Sequence, residues 1–174
     1  RAVHPVDLVL DMSLESDFDT RFSFAMLNDD ESAVGEILAD ESTVIGLSDA
    51  GAHASQLCDA CYATDFLARW VREKGLFSIE EGVRQLTSWP AEVVGLSDRG
   101  RFSVGAPADV VVFDPDTVGA SKLRRVYDLP GGADRLVSDA TGVDAVVVNG
   151  TLIRRANKDL LGGHDKLPGR LLRN

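Results

Sequence analysis

Two apolar segments, RFSFAML at 21–27 and TVIGL at 43–47, bracket the amphipathic stretch ESAVGEILAD. The first alternates Phe22, Phe24 and Met26, the period of a strand with one buried face. The second is apolar throughout, as a strand buried on both faces is. Between them Val34, Ile37 and Leu38 fall on one helical face, and Asp30 stands where a helix N-cap belongs. Strand, helix and strand at this spacing make a βαβ unit. Such units build parallel sheets covered by helices, so the region reads as α/β.

The flanking sequence extends this pattern. Residues 5–17 carry Val6, Leu8, Val9, Leu10, Met12 and Leu14 among acids, a partly buried helix. A long helix is expected around Tyr62, Phe66, Trp70 and Val71, closed by Lys74-Gly75. Ser78-Ile79-Glu80-Glu81 forms a capping box for a further helix, which should stop at Trp89-Pro90. AEVVGL then gives one helical turn closed by Gly95. Beyond residue 98 the pattern changes. RGRFSVGAPADVVVFDP reads as a short strand, a Gly/Pro turn and a strong strand at Val110 to Phe113. DAVVVNGTLIRR carries a hairpin signal at Asn149-Gly150, and DLPGGADRLVSDATG between them reads as loop. The expected division is 1–98 for an α/β part and 99–174 for a β part.

The chain has 174 residues, 44% of them apolar, enough for a packed core. No run approaches the roughly 20 apolar residues of a membrane helix. The opening RAVHPVDLVLD has charges where a signal peptide needs an apolar region. It starts at Arg1 rather than Met, so we expect a piece of a longer protein or a processed product. The net charge of −10 is unevenly spread: 6 Lys+Arg against 19 Asp+Glu in residues 1–98, and 12 against 9 thereafter. An acidic first half argues against a nucleic-acid face. Only two cysteines occur, Cys58 and Cys61 in CDAC. They cannot build a disulfide framework; a helix would place both thiols on one face as structural residues, and the alternative for a lone CxxC is a redox pair or half a zinc site. That usage suits a reducing, cytoplasmic setting.

The segment STVIGLSDAGAH concentrates the candidate chemistry. Asp49 follows the apolar strand directly, and chemistry in α/β folds sits at the carboxyl ends of strands. A carboxylate held there can take a proton or bind a metal with little reorganisation. Asp-x-Gly is also ordinary turn chemistry, and a lone His near a helix start is commonly structural. What sets His53 apart from His4 and His164 is that it shares one short loop with Asp49.

The motifs GLSDAGAH, LTSWPAEVVGL, RGRFSVGAPADVVVFDPDTV, YDLPGGADRLVSDATGVDAVVVNG and LPGRLL, taken together and in order, resemble the C-terminal part of the amidohydrolase superfamily. Within it they are most similar to the N-acyl-D-amino-acid deacylase branch, the D-aminoacylases. The resemblance implies a (β/α)8 TIM-type barrel with a small β-sandwich built from both chain ends. Residues 21–27 and 43–47 would then be barrel strands seven and eight in 1–98, with sandwich strands in 99–174. It implies amide hydrolysis of an N-acyl-D-amino acid to a carboxylate and a free D-amino acid, with zinc as cofactor. Asp49 would be the catalytic proton acceptor and a metal contact, with Ser48 and His53 beside the substrate. The family's first-strand His-x-His, its bridging ligand and its two further histidines have no counterpart here. The expectation is therefore a chain inactive alone, associating with itself or with a missing N-terminal part. The alternatives are a sister amidohydrolase (dihydropyrimidinase-like or dipeptidase-like) and a non-catalytic α/β module.

Overall fold

Residues 3–23 and 27–172 are described in a computed structural model of the chain. It divides into two compact units, 1–34 and 35–174. In the first, α1 runs from Pro5 to Glu15, with Pro5 in its first turn and the His4 imidazole accepting the Val6 N–H at 3.3 Å. No residue of α1 is buried, and Leu14 is 65% exposed. The expected partial burial is not realised: among the described residues of this unit, no second apolar layer covers α1. Helix α2, Glu31–Ala39, starts where expected: Asp30 Oδ1 accepts the N–H groups of Ser32 and Ala33 at 2.9 and 3.2 Å.

The two strands expected around α2 fare differently. Of 21–27, residues 24–26 lie outside the described residues, and no strand is formed at 21–23 or 27. Residues 43–47 run without helix or strand. A strand needs a ladder partner, and here the Thr43 carbonyl accepts the Trp89 indole N–H at 3.0 Å instead. Among the described residues every strand pair is antiparallel. The architecture is mixed α/β, with the α- and π-helices before Val94 and, from Val110 onward, strands and one 3-10 turn at Pro130–Gly132.

In the second unit the chain enters α3 (Tyr62–Asp65), which continues as a π-helix over Phe66–Glu73. The wider i→i−5 pattern shows at its end, where the Lys74 N–H reaches the Arg69 carbonyl at 2.8 Å. Gly75 closes it at φ +62°. Helix α4 (Ile79–Leu86) has Ser78 as its cap, the hydroxyl accepting the Glu81 N–H at 3.2 Å. Pro90 does not end a helix. It lies in the first turn of α5 (Ser88–Val93), where a missing N–H leaves no bond unmade.

Strands β1 (Val110–Phe113), β6 (Val143–Val148), β7 (Thr151–Arg155) and β8 (Lys158–Asp159) form one sheet in the order β1-β6-β7-β8. The β6–β7 turn has Asn149 at φ +46° and Gly150 at φ +78°, as a two-residue type I′ hairpin requires. No strand forms at 101–104, where Phe102 and Val104 are almost fully exposed. Conversely, the stretch expected as loop holds β4 (Arg135–Val137) and β5 (Ala140–Thr141), paired with β3 (Arg124–Val126) and β2 (Gly119–Ala120). The core joins the two layers: Phe66, Leu67 and Val71 from the π-helix meet Val118, which is 1% exposed.

Candidate functional site

The segment carrying the candidates is tied at both ends and free in the middle. At its start Thr43 donates through its hydroxyl to the Ile37 carbonyl at 2.8 Å, and Trp89 holds its carbonyl. Ile45 packs against the core, while Leu47 is 79% exposed. A run of turns follows. The half-buried Ser48 accepts the Ala50 N–H at 3.3 Å through its hydroxyl. The Asp49 carbonyl accepts the Ala52 N–H at 3.0 Å, and the His53 carbonyl accepts those of Gln56 and Leu57 at 2.7 and 3.0 Å.

Asp49 and His53 both adopt the left-handed conformation, at φ +52° and +49°, on either side of Gly51 at +93°. Non-glycine residues are uncommon there and carry some strain, which Asp and His tolerate better than most. Both side chains are exposed, and among the described residues no hydrogen bond joins them. The structure thus brings Ser48, Asp49 and His53 into one loop whose backbone, rather than a side-chain network, sets their directions.

The β3–β4 hairpin reaches the chain immediately after His53. The Leu136 N–H donates to the Ala54 carbonyl at 2.9 Å. Arg125 Nη1 donates to the Ser55 carbonyl at 3.0 Å and also pairs with Asp134. The sequence reading missed these residues. Their only local signal is RRV and RLV flanking Pro-Gly-Gly, and the contact to residue 55 spans 70 positions.

Cys58 and Cys61 are not on one helix face: Cys58 lies in the loop, and Cys61 is the residue before α3. Both are free and partly exposed, and burial pushes the Cys61 thiol up. His4 caps α1, and His164 is exposed in the C-terminal segment. Among the described residues, no three His, Cys, Asp or Glu side chains are grouped to hold a metal ion. Zinc takes at least three protein ligands, so Asp49 and His53 do not fit a complete site by themselves. A cavity of about 620 Å³, lined by Leu67, Leu86, Phe113, Val143 and Arg99, lies elsewhere in the second unit, and neither Asp49 nor His53 lines it.

Residues 1–154 match the profile of the amidohydrolase family. The chain belongs to the amidohydrolase family. An N-acyl-D-glutamate deacylase of Alcaligenes xylosoxydans xylosoxydans is 46% identical over 90 residues, covering 52% of this chain and 17% of that protein. A D-aminoacylase of the same organism is 35% identical over 123 residues, 70% of this chain and 23% of that protein. A solved D-aminoacylase structure, described for its binuclear metal centre, superposes with a TM-score of 0.60 at 31% identity, over 75% of this chain and 26% of that one. The amidohydrolase chain therefore spans about a fifth of the curated relatives it matches, and the resemblance read from its motifs is borne out. No helix among the described residues is long and apolar enough to cross a membrane.

Proposed function

We propose that the protein containing this amidohydrolase chain hydrolyses N-acyl-D-amino acids to a carboxylate and a free D-amino acid. The observation that carries this is the loop 48–53, which places Asp49 in a left-handed turn at the end of a segment whose Ile45 packs against the core. The two Alcaligenes relatives, named for deacylation of N-acyl-D-glutamate and for D-aminoacylase activity, support the substrate class. In this reading Asp49 accepts the proton of the attacking water and returns it to the leaving nitrogen, the work of a positioned general base and acid. Ser48 and His53 flank the substrate.

The barrel and sandwich belong to the same proposal: 1–98 as the barrel's last two strands with their helices, and 99–174 as part of the sandwich. The likeness to D-aminoacylase supports it. Zinc is the metal we assign to the complete enzyme. Asp49 contributes at most one of its ligands, and the others lie outside the described residues. The apolar side chains exposed along α1, and Phe102 and Val104, would be covered by self-association or by the remainder of the protein.

The test compares the full gene product with its Asp49→Asn variant on N-acetyl-D- and N-acetyl-L-glutamate, with zinc content measured in both. Turnover of the D substrate is expected, falling about 10²–10⁴-fold in the variant while the melting temperature stays constant. Unchanged turnover in Asp49→Asn removes the role from Asp49. Absence of turnover on any N-acyl-D-amino acid removes the substrate class.

A further inference from the structure

The loop 48–57 carries strain without side-chain bracing of its own. Asp49 and His53 are exposed and left-handed, and the loop's internal bonds are backbone turns, except for the Ser48 hydroxyl. Turns of this kind open readily unless something outside them is fixed. The outside support reaches the loop immediately after His53. Leu136, in the middle of β4, donates its N–H to Ala54. Arg125, in the middle of β3, donates to the carbonyl of Ser55. These two strands pair with each other, Arg125 opposite Leu136, so both supports come from one rung of one hairpin.

Arg125 has the chemistry for the task. Its guanidinium is always charged, and its planar head can hold a carbonyl and a carboxylate together. The carboxylate is Asp134, one residue before β4, and both side chains are only 23% exposed, so solvent screens the pair weakly. Asp134 fixes the guanidinium, and the guanidinium fixes the Ser55 carbonyl. The neighbouring Arg124 faces the other way and pairs with Asp139 at the surface.

We propose that Arg125, oriented by Asp134, is a positioning residue that holds the Asp49–His53 loop in its reactive conformation from the β3–β4 hairpin. Arg125 acts through the backbone of Ser55. The hairpin that sequence alone reads as loop is then a structural part of the site. The kinetic consequence rests on the deacylase reading above, whereas the conformational one does not.

The experiment uses the full gene product with Arg125→Met, which keeps the apolar stem and removes the head, and Arg124→Met as the matched control. Amide hydrogen exchange is followed by mass spectrometry. Arg125→Met is expected to lose about 10–100-fold protection across 48–57, with the core helices unchanged, and Arg124→Met to lose none there. On an N-acetyl-D-amino acid, kcat should drop by about 100-fold in Arg125→Met with KM little changed. Adding ethylguanidinium to Arg125→Ala should restore part of both signals, which general destabilisation cannot do. Unaltered exchange in 48–57, or equal loosening in both Met variants, overturns the proposal. If the loop loosens in Arg125→Met while Asp49→Asn stays active, the positioning role stands and the deacylase assignment of Asp49 falls.

Discussion

Gly142→Ala puts the packing between the β5–β6 junction and the Asp114–Val118 turn to a quantitative test. Gly142 sits at φ +65°, where an alanine costs about 1–2 kcal/mol from backbone sterics alone. A methyl there would stand 2.4 Å from the Val118 nitrogen, 2.5 Å from the Thr117 carbonyl carbon and 2.7 Å from the Val118 Cα. All three are backbone atoms and cannot rotate aside. The turn cannot retreat cheaply either. The Gly142 carbonyl accepts the Asp114 N–H at 2.8 Å, and Asp114 in turn holds the Val118 N–H and the Thr117 hydroxyl. Val118 is the most buried side chain of the core.

Overpacking of this sort typically costs about 1–3 kcal/mol, so Gly142→Ala should lose about 4 kcal/mol in all. Gly150→Ala isolates the steric part. Gly150 has φ +78° but nothing within 4 Å of the added methyl, and should lose only about 1 kcal/mol. Equilibrium urea unfolding of both variants against the parent gives the difference directly. In thermal scans Gly142→Ala should melt roughly 8–16 °C lower. If the two variants lose the same stability to within about 0.5 kcal/mol, the close approach of Gly142 to the turn does not exist in solution.

Asp65, half-buried at the start of the π-helix, has its carboxyl pushed up, first by burial and then by Glu73. A raised carboxyl favours the folded state fully below its unfolded pKa, and that contribution is lost as pH rises through the folded pKa. Asp65→Asn should therefore raise the melting temperature at about pH 7, the gain shrinking towards about pH 4; a gain independent of pH would contradict the burial effect. Ser78→Ala removes the acceptor for the Glu81 N–H and should cost about 1 kcal/mol in urea unfolding, with an unchanged m-value.

Much of the local structure was legible in the sequence because its causes are local. Asp30 and Ser78 cap the helices that follow them, because a short side-chain oxygen finds the nearest free N–H whatever lies beyond. Asn149-Gly150 makes its hairpin because both residues tolerate positive φ between two β-branched runs. GLSDAGAH, read with the later glycine and proline motifs, pointed to the amidohydrolase family; the roles of Asp49 and His53 in it remain the proposal.

The tertiary structure decided what depends on partners distant in the chain. TVIGL has every local mark of a buried strand, yet a strand is completed only by a neighbour, and among the described residues 43–47 has none. DLPGGADRLVSDATG looks like loop, yet its second half pairs with Arg124–Val126 and Gly119–Ala120, and only that pairing makes it strand. The bond from Arg125 to Ser55 is the clearest case. Neither residue is unusual in sequence, and only folding brings the guanidinium to the carbonyl beside the candidate loop.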